Sequence, residues 1–300
     1  MSSRLALTRF AWVVLFLNVG VIALGALVRA TGSGAGCGRS WPACQGELVP
    51  PLQGATAIEF AHRGASGMAL ILVFVLTVMV FRRTERGHQA RLGAGLATVA
   101  IVIEALIGAV LVLAEWVGDD ASPARAVAVP LHLVNTLFLL ATLTLTIFWL
   151  RGGRRLDFAT DRGTRRWVVL GGVALVLLFA TGAVAALADT LFPGEPLRAD
   201  FSGDAHFLTR LRIVHPILAI VAAATGWLVA GRSHPRSRAA TWLPVLVGLM
   251  LASGVVSVVL GVPIWMQIVH LLLADALWIS YVWVSAHALQ TAGTPVPVSR

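Results

Sequence analysis

EFAHRGASGMAL, residues 59–70, places an acid, a histidine and an arginine (Glu59, His62 and Arg63) at the mouth of an apolar run that continues to about residue 81. About 20 apolar residues make a helix long enough to cross a hydrocarbon core of roughly 30 Å. Outward from that run the pattern recurs along the whole chain. Eight candidate spans lie at about 10–28, 62–81, 92–113, 128–150, 167–188, 211–230, 241–260 and 264–288. Of the 300 residues, 58% are hydrophobic and only 12% charged, where a soluble domain has roughly 25% charged. Mean hydropathy is +0.85. The expected fold class is all-α, a polytopic membrane protein with eight transmembrane helices. The first run is too long for a signal-peptide core and has no small-residue cleavage site, so it reads as a retained span.

The connections alternate in charge. FRRTERGHQAR (81–91), RGGRRLDFATDRGTRR (151–166) and GRSHPRSR (231–238) are rich in arginine, whereas AEWVGDDASPAR (114–125) and ADTLFPGEPLRADFSGDAH (188–206) are acid-rich and GVPI (261–264) is uncharged. Positive charge stays on the cytoplasmic side, so the arginine-rich connections and both termini are expected in the cytoplasm of a bacterial cell membrane. The net charge of +9 then sets topology in the lipid bilayer and gives no reason to expect a nucleic acid partner. The loop 29–61 falls outside. It contains TGSGAGCGRSWPACQG (31–46), with the two cysteines of the chain, Cys37 and Cys44. From the residues alone a staple, half of a metal site, a redox pair or no role all stay open, and oxidation is chemically permitted on that face. TGSGAG is not followed by the Gly-Lys-Ser/Thr of a phosphate loop.

The opening stretch has a counterpart in the second half. RIVHPILAIVAA (212–223) starts the sixth span as EFAHRGASGMAL starts the second, and QIVHLLLADALW (267–278) matches VPLHLVNTLFLL (129–140) on the eighth and fourth. Two blocks of four spans in the same order predict two pseudo-symmetric four-helix bundles, residues 1–155 and 156–300, related by a parallel repeat. Four histidines, His62, His132, His215 and His270, fall near the outer start of every second span, at one expected depth. His88, His206, His234 and His287 fall in loops or near a span end and read as solvated or interfacial. Ionisable groups inside spans are costly and tend to be functional. Two pairs of lone histidines on facing helices suit axial ligation of haem iron, one haem per half. Glu59 stands three residues before His62, where a carboxylate can act as acid, base or charge stabiliser; the matching position before His215 is Arg212, suited to a haem propionate. Arg29 and Arg63 are further candidates for a propionate, and Asn135 and Gln267, each three residues from a histidine, for hydrogen bonds to the ligands. Glu104 and Asp275 are buried acids with no assigned role.

These motifs resemble the heme A synthase family. The outer Gly-Ser-Gly run, the Cys, six residues and second Cys after Trp-Pro, the Glu-x-x-His-Arg of residues 59–63 and the four histidines on alternate spans together cover essentially the whole chain. The resemblance implies oxidation of a methyl substituent of heme O to the formyl of heme A for cytochrome oxidase. It implies haem b held by His215 and His270, substrate haem flanked by His62 and His132, Glu59 as the catalytic carboxylate, and a Cys37–Cys44 disulfide. A heme O synthase supplying the substrate and an electron acceptor are the implied partners. The alternative reading is a diheme b-type, quinol-linked cytochrome. A thiol–disulfide oxidoreductase lacks its Cys-x-x-Cys, and a transporter gives no reason for four histidines at one depth.

Overall fold

The computed structural model describes residues 2–159, 161–194, 200–233 and 239–290. The long helices are α1 (Ser2–Ala30), α2 (Gly54–Arg83), α3 (Gln89–Leu113), α4 (Pro123–Leu150), α5 (Arg162–Leu191), α7 (Val214–Ser233), α8 (Ala239–Val259) and α9 (Ile264–Leu289). A short α6 (Phe207–Arg210) and one 3-10 turn lead directly into α7. Eight spans, counted among the described residues, are long and apolar enough to cross a membrane, and the chain is an all-helical, multi-pass membrane protein.

Loop chemistry sets where the spans begin. Ser122 caps α4 by accepting from the Arg125 N–H, with Pro123 in the first turn, where its missing N–H costs nothing. Asp161 caps α5 through Thr164 N. His88, expected to be solvated, instead caps α3, its Nδ1 accepting from Ala90 N at 3.2 Å. His206 does the same for α6. These caps let α3, α4 and α5 start ahead of their apolar segments; α2 also starts early, at Gly54 rather than near residue 62, after Gln53, which makes no side-chain cap. His62, His132, His215 and His270 therefore stand eight, nine, eight and six residues after the first helical residues Gly54, Pro123, Phe207 and Ile264. That is about two turns further along the helix than the apolar run suggests for His62, roughly 12 Å, and about one and a half turns for His132.

Helices α1 to α4 pack around one another, and α5, α7, α8 and α9 do likewise; α4 and α9 join the two sets. A stripe of small residues on α3, Ala90, Gly93, Ala94, Ala97 and Ala100, is buried and lets α4 approach closely. On α4 the hydroxyls of Thr142, Thr144 and Thr146 are satisfied by carbonyls three or four residues back in the same helix. Between the sets the Trp278 indole donates to the Leu137 carbonyl at 2.7 Å, so the most buried span of each set is tied to the other. Side chains such as Leu92, Leu96, Val99 and Leu106 point outward, which suits lipid.

Candidate functional site

The disulfide loop, the ends of α1 and α5, and the starts of α2, α4, α6 and α9 lie at one end of the molecule. Cys37 and Cys44 are joined by a disulfide, and both are buried. The loop is fastened to α2 by the opening motif. Glu59, 3% exposed, accepts from the Cys37 N–H at 2.7 Å through Oε2. Its Oε1 accepts from Arg63 Nε and Nη2 at 3.1 and 2.5 Å. Arg63 Nη1 donates onward to the carbonyls of Ser40 and Ala43. One i,i+4 ion pair thus holds both sides of the Cys37–Cys44 loop. Gly36 packs so closely that a Cβ there would lie 2.5 Å from the Ala55 carbonyl carbon. Glu59 and His62 do share α2, as the spacing predicts, while both Glu59 oxygens are engaged by the loop and Arg63.

Each histidine meets the span that precedes it. His215 Nδ1 lies 3.1 Å from the Leu178 carbonyl of α5, and its Cε1 rests in a notch at Gly182, where a Cβ would come within 2.9 Å. His62 repeats this against α1. The Val21 carbonyl is its polar neighbour, short of a full hydrogen bond, and Gly25, four residues on, would bring a Cβ within 3.0 Å of Cε1. His270 Nδ1 meets Ser253 Oγ of α8 at 2.8 Å. His132 Nδ1 lies 3.2 Å from Glu104 Oε1 of α3. The glycines and Ser253 escaped the sequence reading because neither residue type signals a ligand. The available signal was the repeated Gly-Ala at 25–26 and 182–183, in matching places of the first span of each half.

The rings of His215 and His270 have centroids 6.3 Å apart with planes at 81°. Metal–imidazole bonds of about 2 Å on both sides of one iron, with about 1 Å more from each nitrogen to its ring centre, would put two trans rings at roughly 6 Å. The residues present therefore fit an axially ligated haem.

The basic candidates are occupied by protein groups. Arg212 pairs with Asp189 at 3.3 Å and Asp200 at 3.8 Å, so the propionate role expected for it competes with two carboxylates. Arg29 reaches from α1 to the Ala186 carbonyl, Thr190 Oγ1 and Gln267 Oε1, a polar tie between the two sets of helices beside the start of α9. Gln267 also donates to the Val262 carbonyl. Asn135 donates to the Ala100 carbonyl at 2.9 Å and to Glu104, turned toward α3. Asp275 is 2% exposed with Oδ2 unpartnered. His287 packs against Phe148 and Trp283. His234 lies outside the described residues.

The sequence profile of a family described as cytochrome oxidase assembly protein, COX15-CtaA, matches residues 8–282. Protoheme IX farnesyltransferase of Thermus thermophilus is 46% identical over 309 aligned residues, which cover 99% of this chain and 50% of that protein. Heme A synthase of Bacillus licheniformis is 38% identical over 100 residues (33% of this chain, 32% of that one). That of Bacillus mycoides is 44% identical over 103 residues (34% and 33%). The chain spans about half the length of the Thermus relative.

Proposed function

The chain belongs to the COX15-CtaA family of cytochrome oxidase assembly proteins, and from that premise we propose that it is a heme A synthase, an oxidoreductase that converts a methyl substituent of heme O to the formyl group of heme A. The observation that carries the reading is the 6.3 Å spacing of the His215 and His270 rings, because two imidazoles so spaced are residues that would hold a resident haem beside the substrate half. In this reading residues 1–155 form the substrate bundle and 156–300 the haem b bundle. The disulfide loop faces away from the cytoplasm and the termini face into it. Heme A synthases among the relatives support the substrate.

Haem b, held by His215 and His270, would supply an electron relay. The chain's own residues do the rest. His62 and His132 hold the substrate haem between α2 and α4. The disulfide loop, pinned by Glu59 and Arg63, covers that end and limits water. Oxidation of the methyl removes four electrons and four protons in two stages; one water adds at each stage, giving first an alcohol and then a gem-diol, which loses one water to leave the formyl. Each stage builds positive charge on the reacting carbon, and the buried Glu59 carboxylate, on the same helix as His62 and held by Arg63 and the Cys37 N–H, would offset that charge where the methyl is presented to this end of α2. The electrons leave to an acceptor that this chain must meet in the membrane.

A second reading comes from the Thermus relative, named for farnesyl transfer to protoheme. The match covers half of that protein, and among the described residues no cluster of three His, Cys, Asp or Glu is placed to hold a divalent metal, the usual partner of a diphosphate leaving group. A double-length relative of this kind is what a fusion of heme O formation with the next step would look like. It supports a heme O synthase as the partner that delivers the substrate. Extraction of the haems from purified protein tests the proposal. Haem b with a smaller amount of heme O or heme A is expected. Two equivalents of haem b and nothing else would favour the diheme cytochrome.

A further inference from the structure

We propose that Glu104 is the positioning residue of His132, giving the substrate-haem side one carboxylate-backed ligand where the other three histidines have neutral partners. This inference rests on the reading of His132 as a ligand of the substrate haem. Glu104 stands mid-span on α3, and donors converge on it from α4. Asn135 Nδ2 donates to Oε2 and Thr136 Oγ1 to Oε1, and His132 Nδ1 approaches Oε1 to 3.2 Å. The Thr136 hydroxyl is also within reach of the His132 carbonyl. The His132 approach is at ion-pair distance but off the line of a full hydrogen bond, so a small turn of the ring completes it. The first consequence is orientation. With Nδ1 held against α3, Nε2 is the nitrogen left to face the space between the helices.

The second consequence is electronic. The residue in the equivalent place for His270 is Ser253, at 2.8 Å from Nδ1. His215 meets a backbone carbonyl, and His62 has the Val21 carbonyl as its polar neighbour. A carboxylate accepting from Nδ1–H makes an imidazole a stronger donor to a metal than a hydroxyl or an amide carbonyl does. The two halves thus differ in the group behind one ligand. The resident haem has hydroxyl and carbonyl support, and the haem that turns over sits against an imidazole backed by an anion. Such a ligand favours the oxidised iron.

The test uses purified full-length protein in detergent, with added ferric protoporphyrin IX as the probe of the N-terminal position. Binding is read by absorbance and by the low-spin ferric electron paramagnetic resonance signal. The His215/His270 haem serves as the internal control. Glu104→Leu is expected to weaken probe binding by about 10–100-fold with the resident haem unchanged. Glu104→Gln, which keeps an acceptor and loses the charge, is expected to bind nearly as wild type but with a shifted ferric signal and a raised reduction potential. Wild-type binding and spectrum in Glu104→Leu, while His132→Ala loses the probe, would overturn the inference and leave His132 a ligand. Loss of the resident haem in Glu104→Leu would also overturn it, because Glu104 would then be a general packing residue. Unchanged probe binding in His132→Ala would remove the ligand reading, and the inference with it.

Discussion

Gly182→Val is expected to strip the second half of the protein of its haem, leaving less than a tenth of the wild-type haem b absorbance in protein that still reaches the membrane. Even the first added carbon would stand 2.9 Å from His215 Cε1, well inside the 3.5–4.0 Å at which carbon atoms rest together. The obstacle is a rigid ring tied to the Leu178 carbonyl, so the ring must leave the line toward His270. Positioning groups behind metal ligands are worth about 10–100-fold in affinity, and a ligand pushed aside lies at the upper end. Gly248→Val on α8, where a Cβ meets nothing within 4 Å, is the control and should keep the full spectrum. Gly25→Val should act in the same way on His62, with loss of substrate haem and retention of haem b. A normal haem b spectrum in Gly182→Val would mean that His215 does not ligate in the observed pose.

Glu59→Gln is expected to lower heme A formation by about 100-fold or more, the scale on which a single electrostatic group acts on a developing charge. It should also release the disulfide loop. The change leaves the partly buried Arg63 guanidinium without its carboxylate, at a cost below the about 3–5 kcal/mol of one half of a fully buried pair, and Cys37–Cys44 should then be reduced faster by an added thiol. The two effects separate in Arg63→Met, which removes the donors to the Ser40 and Ala43 carbonyls and keeps the Glu59 carboxylate. The disulfide should then be reduced faster while heme A formation falls much less than in Glu59→Gln. Heme A formation as low in Arg63→Met as in Glu59→Gln would show that Glu59 acts only as a latch between the loop and α2.

Span number and fold class were readable because period, length and apolar composition act on residue type alone. The depth of His62 was less readable. It depends on how far α2 extends back through Gly54–Ala61, residues whose apolar run is broken by Thr56 and Glu59. Side-chain direction was not readable at all. Glu59 could face the histidine of its own helix or the loop above it, and the tertiary contact with the Cys37 N–H and Arg63 turns it to the loop. Arg212 was expected to be free for a propionate because the two acids that meet it, Asp189 and Asp200, are 23 and 12 residues earlier. Glu104 and His132 are brought together only by the packing of α3 on α4, which a small-residue stripe allows and no local motif announces. In each case the residue type was visible, and the tertiary partner, from another helix or from a loop, was not.

The central claim is chemical, and conversion tests it most directly. The full-length chain would be produced together with a protoheme farnesyltransferase in cells that make no heme A, and the extracted haems separated and weighed. The proposed function predicts a haem that differs from heme O by the loss of two hydrogens and the gain of one oxygen, the change from methyl to formyl, and predicts about 100-fold less of it or lower in the Glu59→Gln variant. Heme O that accumulates unchanged beside fully loaded His215/His270 haem would contradict it.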